Sequence, residues 1–204
     1  MTQVYFVHVP KSAGTSIEDA GLEIGQRWGR MNEWAREKLG DRHRHYWHVP
    51  FYDWSSETVE EFQSHFFSFA VIRHPLDRII SEYRCEAGNQ LGRGQSRWVL
   101  NCVVLRYLLA TVLRESFVQQ GHWVPQYYYT HIKGRQVVSR LLRFSDLRNE
   151  LNSLMEEFDL EIVLEHKRRG EGSQFRRGDL YLSTRLIAIF VYWKDYVFLR
   201  KYFC

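Results

Sequence analysis

Apolar positions divide the chain into short β-branched or aromatic runs and longer stretches where they return every three or four residues. Val4–Val9 is the first run and reads as a buried strand, with a helix opening at Thr15. Phe66–Arg73, Phe-Phe-Ser-Phe-Ala-Val-Ile-Arg, is continuous enough to lie inside a parallel sheet, and Arg135–Phe144 is predicted as a further strand. Pro75 suits the first turn of a helix in which Leu76, Ile80 and Tyr83 face the core while Asp77, Ser81 and Arg84 lie on another side. Arg97–Phe117 reads as a long apolar helix packed on the sheet. Behind a Ser145 or Asp146 cap, Leu147, Leu151, Leu154 and Phe158 keep helical spacing. A last helix from Asp179 is expected to bury Leu182, Leu186, Ile189, Trp193 and Tyr196, and Trp28, Met31 and Trp34 to pack one helical face. Alternating strands and helices predict an α/β domain with a central parallel sheet flanked by helices.

With 204 residues, 45% hydrophobic, and neither a repeat nor a low-complexity linker, a single domain spanning 1–204 is expected. The net charge of +4 suits an anionic ligand but is too mild to indicate nucleic acid. The chain opens almost directly on its first strand, leaving no room for a signal peptide. Trp98–Leu113 is broken by Asn101 and Arg106, and Leu186–Trp193 is too short to span a bilayer, so a cytoplasmic protein without membrane contact is expected. Cys85, Cys102 and Cys204 form no Cys-x-x-Cys pair, which argues against a disulfide scaffold or a thiolate zinc site. Cys85 and Cys102 are expected to be small buried hydrophobes.

The candidate chemistry begins between the first strand and its helix, where Ser12, Ala13, Gly14, Thr15 and Ser16 follow Lys11. Free amides at a helix N-terminus with one lysine make an anion cradle. The lysine precedes the only glycine of the loop by three residues, unlike a nucleotide-triphosphatase loop, where it follows the last glycine. Arg73 ends the second strand, and Ser81 lies about 9 Å into the following helix at about 1.5 Å per residue. Both are placed to meet one anion beyond the carboxyl edge of the sheet, the usual ligand crevice of such folds. His43, His45 and His48 occupy an aromatic, loop-like segment around Pro50. Their spacing does not suit a metal, whereas a neutral imidazole is a competent proton acceptor. Gly88–Gln95 reads as a mobile surface loop, and Tyr127–Tyr129 as packing residues.

The order Pro-Lys-Ser-Ala-Gly-Thr-Ser at 10–16 resembles the 5′-phosphosulfate loop of sulfotransferases that use 3′-phosphoadenosine 5′-phosphosulfate (PAPS). Arg73, with Pro75 and Ser81, is similar to the second hallmark of that family, whose arginine and serine hold the 3′-phosphate. The segment around His48 resembles the His-Val segment that carries the catalytic base in the hexuronyl 2-O-sulfotransferase branch, although Tyr46 stands where that branch often has another histidine. Gly121–Gln126 is similar to a His-x-x-Pro-Gln segment near the acceptor side, Leu142–Leu147 to the strand and helix start that follow it, and 165–177 to a loop that closes over the nucleotide.

The resemblance implies a P-loop-like three-layer fold and in-line transfer of a sulfonate from PAPS to an acceptor hydroxyl, a carbohydrate favoured, without a metal. Lys11 and His48 are the implied catalytic residues, and Lys11, Ser12, Ala13, Gly14, Thr15, Ser16, Arg73 and Ser81 the implied nucleotide-binding set. The alternatives are a P-loop kinase, which would need magnesium, and a non-catalytic polyanion-binding module using Arg135–Arg177.

Overall fold

The computed structural model describes residues 3–40, 45–90, 96–112, 121–164 and 175–203, with 85–90 described in backbone only. His43, positions 91–95, the predicted helical stretch beyond Val112, most of the basic segment 165–177 and Cys204 lie outside the described residues.

Three parallel strands, β1 (Gln3–Val7), β2 (Phe66–Ile72) and β5 (Arg140–Arg143), form the sheet in the order β1-β2-β5. Phe6 pairs with Phe69, and Ile72 pairs with Arg143 at the carboxyl edge. Alternation along the strands sends side chains to two cores. Tyr5, Val7, Ala70, Ile72 and Leu141 meet Ala35 of α2 (Glu33–Leu39) and Phe62 of α3 (Ser56–His65) on one face. Val4, Phe6, Phe69, Val71 and Leu142 meet Ile17 of α1 (Gly14–Glu23) and Leu151 and Leu154 of α7 (Leu147–Glu156) on the other. A fully buried side chain of this size contributes roughly 1.5–3 kcal/mol, so both layers stabilise the sheet.

A third apolar cluster stands beside the sheet. It joins Leu76, Ile79, Ile80 and Tyr83 of α4 (Pro75–Gln90), Leu100, Val104 and Leu108 of α5 (Arg97–Val112), and Ala188 and Tyr192 from the C-terminal helices α8 (Leu182–Val191) and α9 (Trp193–Phe198) with their connection. Thus α5 packs against α4 and α8, not on the sheet.

Several expectations are corrected. Most of the C-terminal stripe faces outward: Leu182 is 66%, Leu186 57% and Trp193 50% exposed, whereas Tyr196 packs half-buried on the third cluster as expected, and Thr184, Ala188, Tyr192, Asp195 and Leu199 are buried. The predicted strand Arg135–Phe144 is a short hairpin, β3 (His131–Ile132) with β4 (Arg135–Gln136), followed by β5. Trp28 and Trp34 pack on opposite faces of the sheet and Met31 is exposed. Cys102 is exposed, and Gly88–Gln90 continue α4. The turn Arg177–Asp179 precedes the last helices, which start at Leu182. Tyr127 and Tyr129 of α6 (Tyr127–Thr130) are buried as expected.

Candidate active site

The loop after β1 is held in an uncommon conformation. Lys11 and Ala13 both have positive φ, 64° and 67°, with Ser12 between them. Alternating hands of this kind build concave amide nests for anions. They cost roughly 1–2 kcal/mol at a side-chain-bearing residue, so the surrounding packing must impose them. The first bond of α1 runs from Ile17 N–H to the Ala13 carbonyl at 3.1 Å. The amides of Gly14, Thr15 and Ser16 are therefore the free donors of the first turn. Ser12 is fully buried, and its Oγ has no partner. Gly14 is required because a Cβ there would lie 1.9 Å from His8 Nε2.

Arg73 leaves the carboxyl end of β2 and donates from its guanidinium to the Lys11 carbonyl at 3.1 Å, joining the two strand ends. Gln126 holds its backbone from both sides, accepting from Arg73 N–H at 2.9 Å and donating to Arg73 C=O at 2.7 Å. Buried Asp195 in turn accepts from the Gln126 amide at 3.1 Å and the Tyr127 amide at 2.8 Å. The Arg73 guanidinium lies 4.2 Å over the Phe144 ring. Burial draws it down to about 10, with Asp77 opposing and Arg84, Arg177 and Arg78 adding to the shift. Its Nε has no partner.

Beside Arg73 a cavity of about 400 Å³ is lined by Arg73, Asp77, Ile80, Arg84, Phe175 and residues 176–178. Arg177 donates to both Asp77 oxygens at 2.6 and 2.5 Å, and Arg84 donates to the Phe175 carbonyl at 2.6 Å. Burial would raise the Asp77 carboxyl, but the Arg177 bond, with the charges of Arg177 and Arg73, holds it below its ordinary value. The cavity gathers four arginines against one carboxylate, a setting for a multiply charged anion. Ser81 is half-buried and outside this lining.

At the other end of the loop stand histidines. His48 lies on the turn Tyr46–His48, its ring edge to face with His8 at 4.5 Å and with His122 at 4.9 Å between centroids. Burial, then the neighbouring His8, His122, His45 and Lys11, hold its imidazole well below the usual 6.5, and Nε2 has no partner. It is a neutral ring within the electrostatic reach of Lys11. His8 Nδ1 contacts Glu18 at 2.5 Å, and Glu18 also pairs with Arg30 at 3.2 Å. The structure thus brings Lys11, Ser12, Gly14, Arg73 and His48 to one edge of the sheet. His45 lies 6.3 Å from His48 between rings, further than His8 or His122.

Sequence reasoning did not assign Arg84, Arg176, Arg177, Glu18 or His8. The arginines come from a helix face and a distant turn, and His8 follows directly on β1, inside the apolar run Val4–Val9. The alternation of Val7, His8 and Val9 was the available signal, since His8 is a polar residue on a face that should be buried.

No curated protein and no solved structure matches the chain. Residues 2–185 match the profile described as the sulfotransferase family, a span that contains β1, the Lys11 loop, Arg73, the histidines and the arginine cavity. On that match across most of its length, the chain belongs to the sulfotransferase family.

Proposed function

We propose that the protein transfers a sulfonate from PAPS to the hydroxyl of an acceptor, a carbohydrate favoured, and that its parallel sheet is the core of a P-loop-like fold. The observation supporting this most directly is the Arg73–Lys11 hydrogen bond, which couples the anion-cradling loop to the arginine cavity. A donor with phosphosulfate at one end and 3′-phosphate at the other needs two such anion sites on one edge.

In this reading, amides of Ser12 to Ser16 and the buried Ser12 hydroxyl hold the 5′-phosphosulfate. Lys11 stabilises the charge that develops on the bridging oxygen as the sulfur–oxygen bond breaks, which is preorganised electrostatic catalysis. Arg73, with Arg84, Arg176 and Arg177, receives the 3′-phosphate, and Ser81, one helical turn from Asp77, adds a hydroxyl once the nucleotide is seated. His48 takes the acceptor proton, being neutral at physiological pH. The reaction calls for no metal, because lysine, amides and arginines supply the positive charge.

Calorimetric titration with adenosine 3′,5′-bisphosphate (PAP), in the absence of metal, tests the reading. PAP should bind much more tightly than adenosine 5′-monophosphate. Preference for ATP–magnesium would favour a kinase, and binding only to polyanions, with steep salt dependence, would favour a binding module.

A further inference from the structure

One helix serves both ends of the site. On α4, Asp77 and Arg84 face the arginine cavity, while Arg78 and Glu82, a turn apart and each 1% exposed, reach the turn Gly121–Trp123. Arg78 donates to the His122 carbonyl at 2.9 Å and to the Val124 carbonyl at 2.6 Å. Glu82 accepts from His122 Nδ1, both oxygens at 2.9 Å. Backbone and ring of His122 are thereby fixed by one helix face. Its side chain remains 38% exposed, against 1% for Glu82.

A carboxylate on one imidazole nitrogen fixes the tautomer and stabilises the imidazolium that forms when the other nitrogen takes a proton. His122 has that partner. His48 has none at Nε2, and it stands among His8, His45 and Lys11, surroundings that do not favour a positive charge. Two rings adjoin His48 with a carboxylate behind them, His8 with Glu18 and His122 with Glu82; the His8 side chain is 10% exposed and that of His122 38%, so His122 is the one from which a proton reaches solvent.

We infer that His122, oriented by Glu82, is the second proton-handling group of the transfer: the acceptor proton taken at His48 passes to His122, rests there against Glu82, and leaves to water from the exposed ring. This rests on the sulfonate-transfer reading above. The electron pair of the acceptor O–H bond forms the new O–S bond. The S–O bond to the nucleotide breaks with its pair going to the phosphate oxygen, and the proton moves from His48 to His122 through one intervening water, the rings lying 4.9 Å apart between centroids without a direct hydrogen bond. No oxidant or reductant is involved. The groups facing the pair are His8 and Lys11 from the β1 end, Glu18 of α1 behind His8, His45 from the turn of His48 itself, and Arg78 and Glu82 from α4. Glu82 acts through His122 and is a positioning residue.

Glu82→Gln keeps size and removes charge. With PAPS as donor and water as acceptor, sulfate release should fall about tenfold or more in kcat, and the acid limb of the kcat–pH profile should move to lower pH by about one unit, since the variant lacks the charge that favours the protonated pair. PAP affinity should be unchanged, and Glu82→Asp should restore part of the rate. Nitrogen NMR of the rings in the PAP complex should show the His122 proton fixed on Nδ1 toward Glu82, with that tautomer preference lost in Glu82→Gln. A variant that is merely less stable, with acid limb and His122 tautomer unmoved, overturns the inference. If Glu82→Gln does not fold, His122→Gln takes its place: an unchanged pH profile in that variant overturns the inference equally. Failure of the wild type to bind PAP or release sulfate strikes instead at the sulfonate-transfer reading, while the His122 tautomer in the free protein still reports on the Glu82 contact.

Discussion

The two ends of the carboxyl edge are built on opposite principles. At one, Arg73, Arg84, Arg176 and Arg177 surround a cavity of about 400 Å³, with Asp77 the single carboxylate of the lining. At the other, His8, His48 and His122 fill the space with rings, and the buried carboxylates Glu18 and Glu82 flank them. A site that captures an anion needs surplus positive charge and room, whereas one that takes a proton needs a neutral ring and nearby charge to receive what the ring gives up. Both needs are met from neighbouring faces of α4.

The sharpest challenge to this division is Lys11→Ala, on the loop between the ends. Sulfonate loss from PAPS should fall about 10²–10³-fold, the effect of removing one preorganised electrostatic donor, with PAP affinity much less affected. A matching collapse of PAP binding would make Lys11 part of the arginine end. Arg73→Gln should weaken PAP about 10–100-fold, corresponding to roughly 1.5–3 kcal/mol for a charge-assisted contact, and leave adenosine 5′-monophosphate unchanged by calorimetry. Equal losses for both nucleotides would mean that the cavity does not read the 3′-phosphate.

The packing contrast is tested by two glycines. Gly14→Ala drives a methyl group into His8, and urea denaturation should show a loss of about 1–3 kcal/mol. Acid should expose the difference in charge. Burial holds His48 and, with Lys201, His131 below the ordinary histidine value, the latter to about 4. The unfolded chain takes up protons at these rings near about pH 6.5 while the native chain does not, so stability falls as pH drops below that value, and for His131 the fall continues to about 4. Thermal midpoints measured between pH 7 and 4 should decline, and His131→Gln should flatten the lower part of the curve. The smallest effect is expected at the open end: Gly178→Ala meets nothing within 4 Å and should change stability by no more than about 0.5 kcal/mol.

What the sequence made legible was local. The strand, lysine loop and helix start occupy consecutive positions, and Arg73 announces itself at the end of an apolar run before Pro75. The partners that fix these groups come from far along the chain: Gln126 to Arg73, His122 to Glu82, and Arg177 to Asp77 across 100 positions. No periodicity encodes such pairings. Hydrophobicity also misassigned the C-terminal helices, because both faces carry apolar residues and the buried one includes Thr184 and Asp195. Asp195 is buried for a reason invisible to a hydropathy pattern, since it receives the amides of Gln126 and Tyr127.

The outward stripe of Leu182, Leu186, Phe190, Trp193 and Val197 has a calorimetric consequence. The heat-capacity increment of unfolding arises from apolar surface newly wetted when the chain opens. Side chains already in contact with water in the native state add little to it. The stability curve is therefore flatter than one in which the same residues lay in the core, and these helices contribute less to the temperature dependence of folding than their composition suggests.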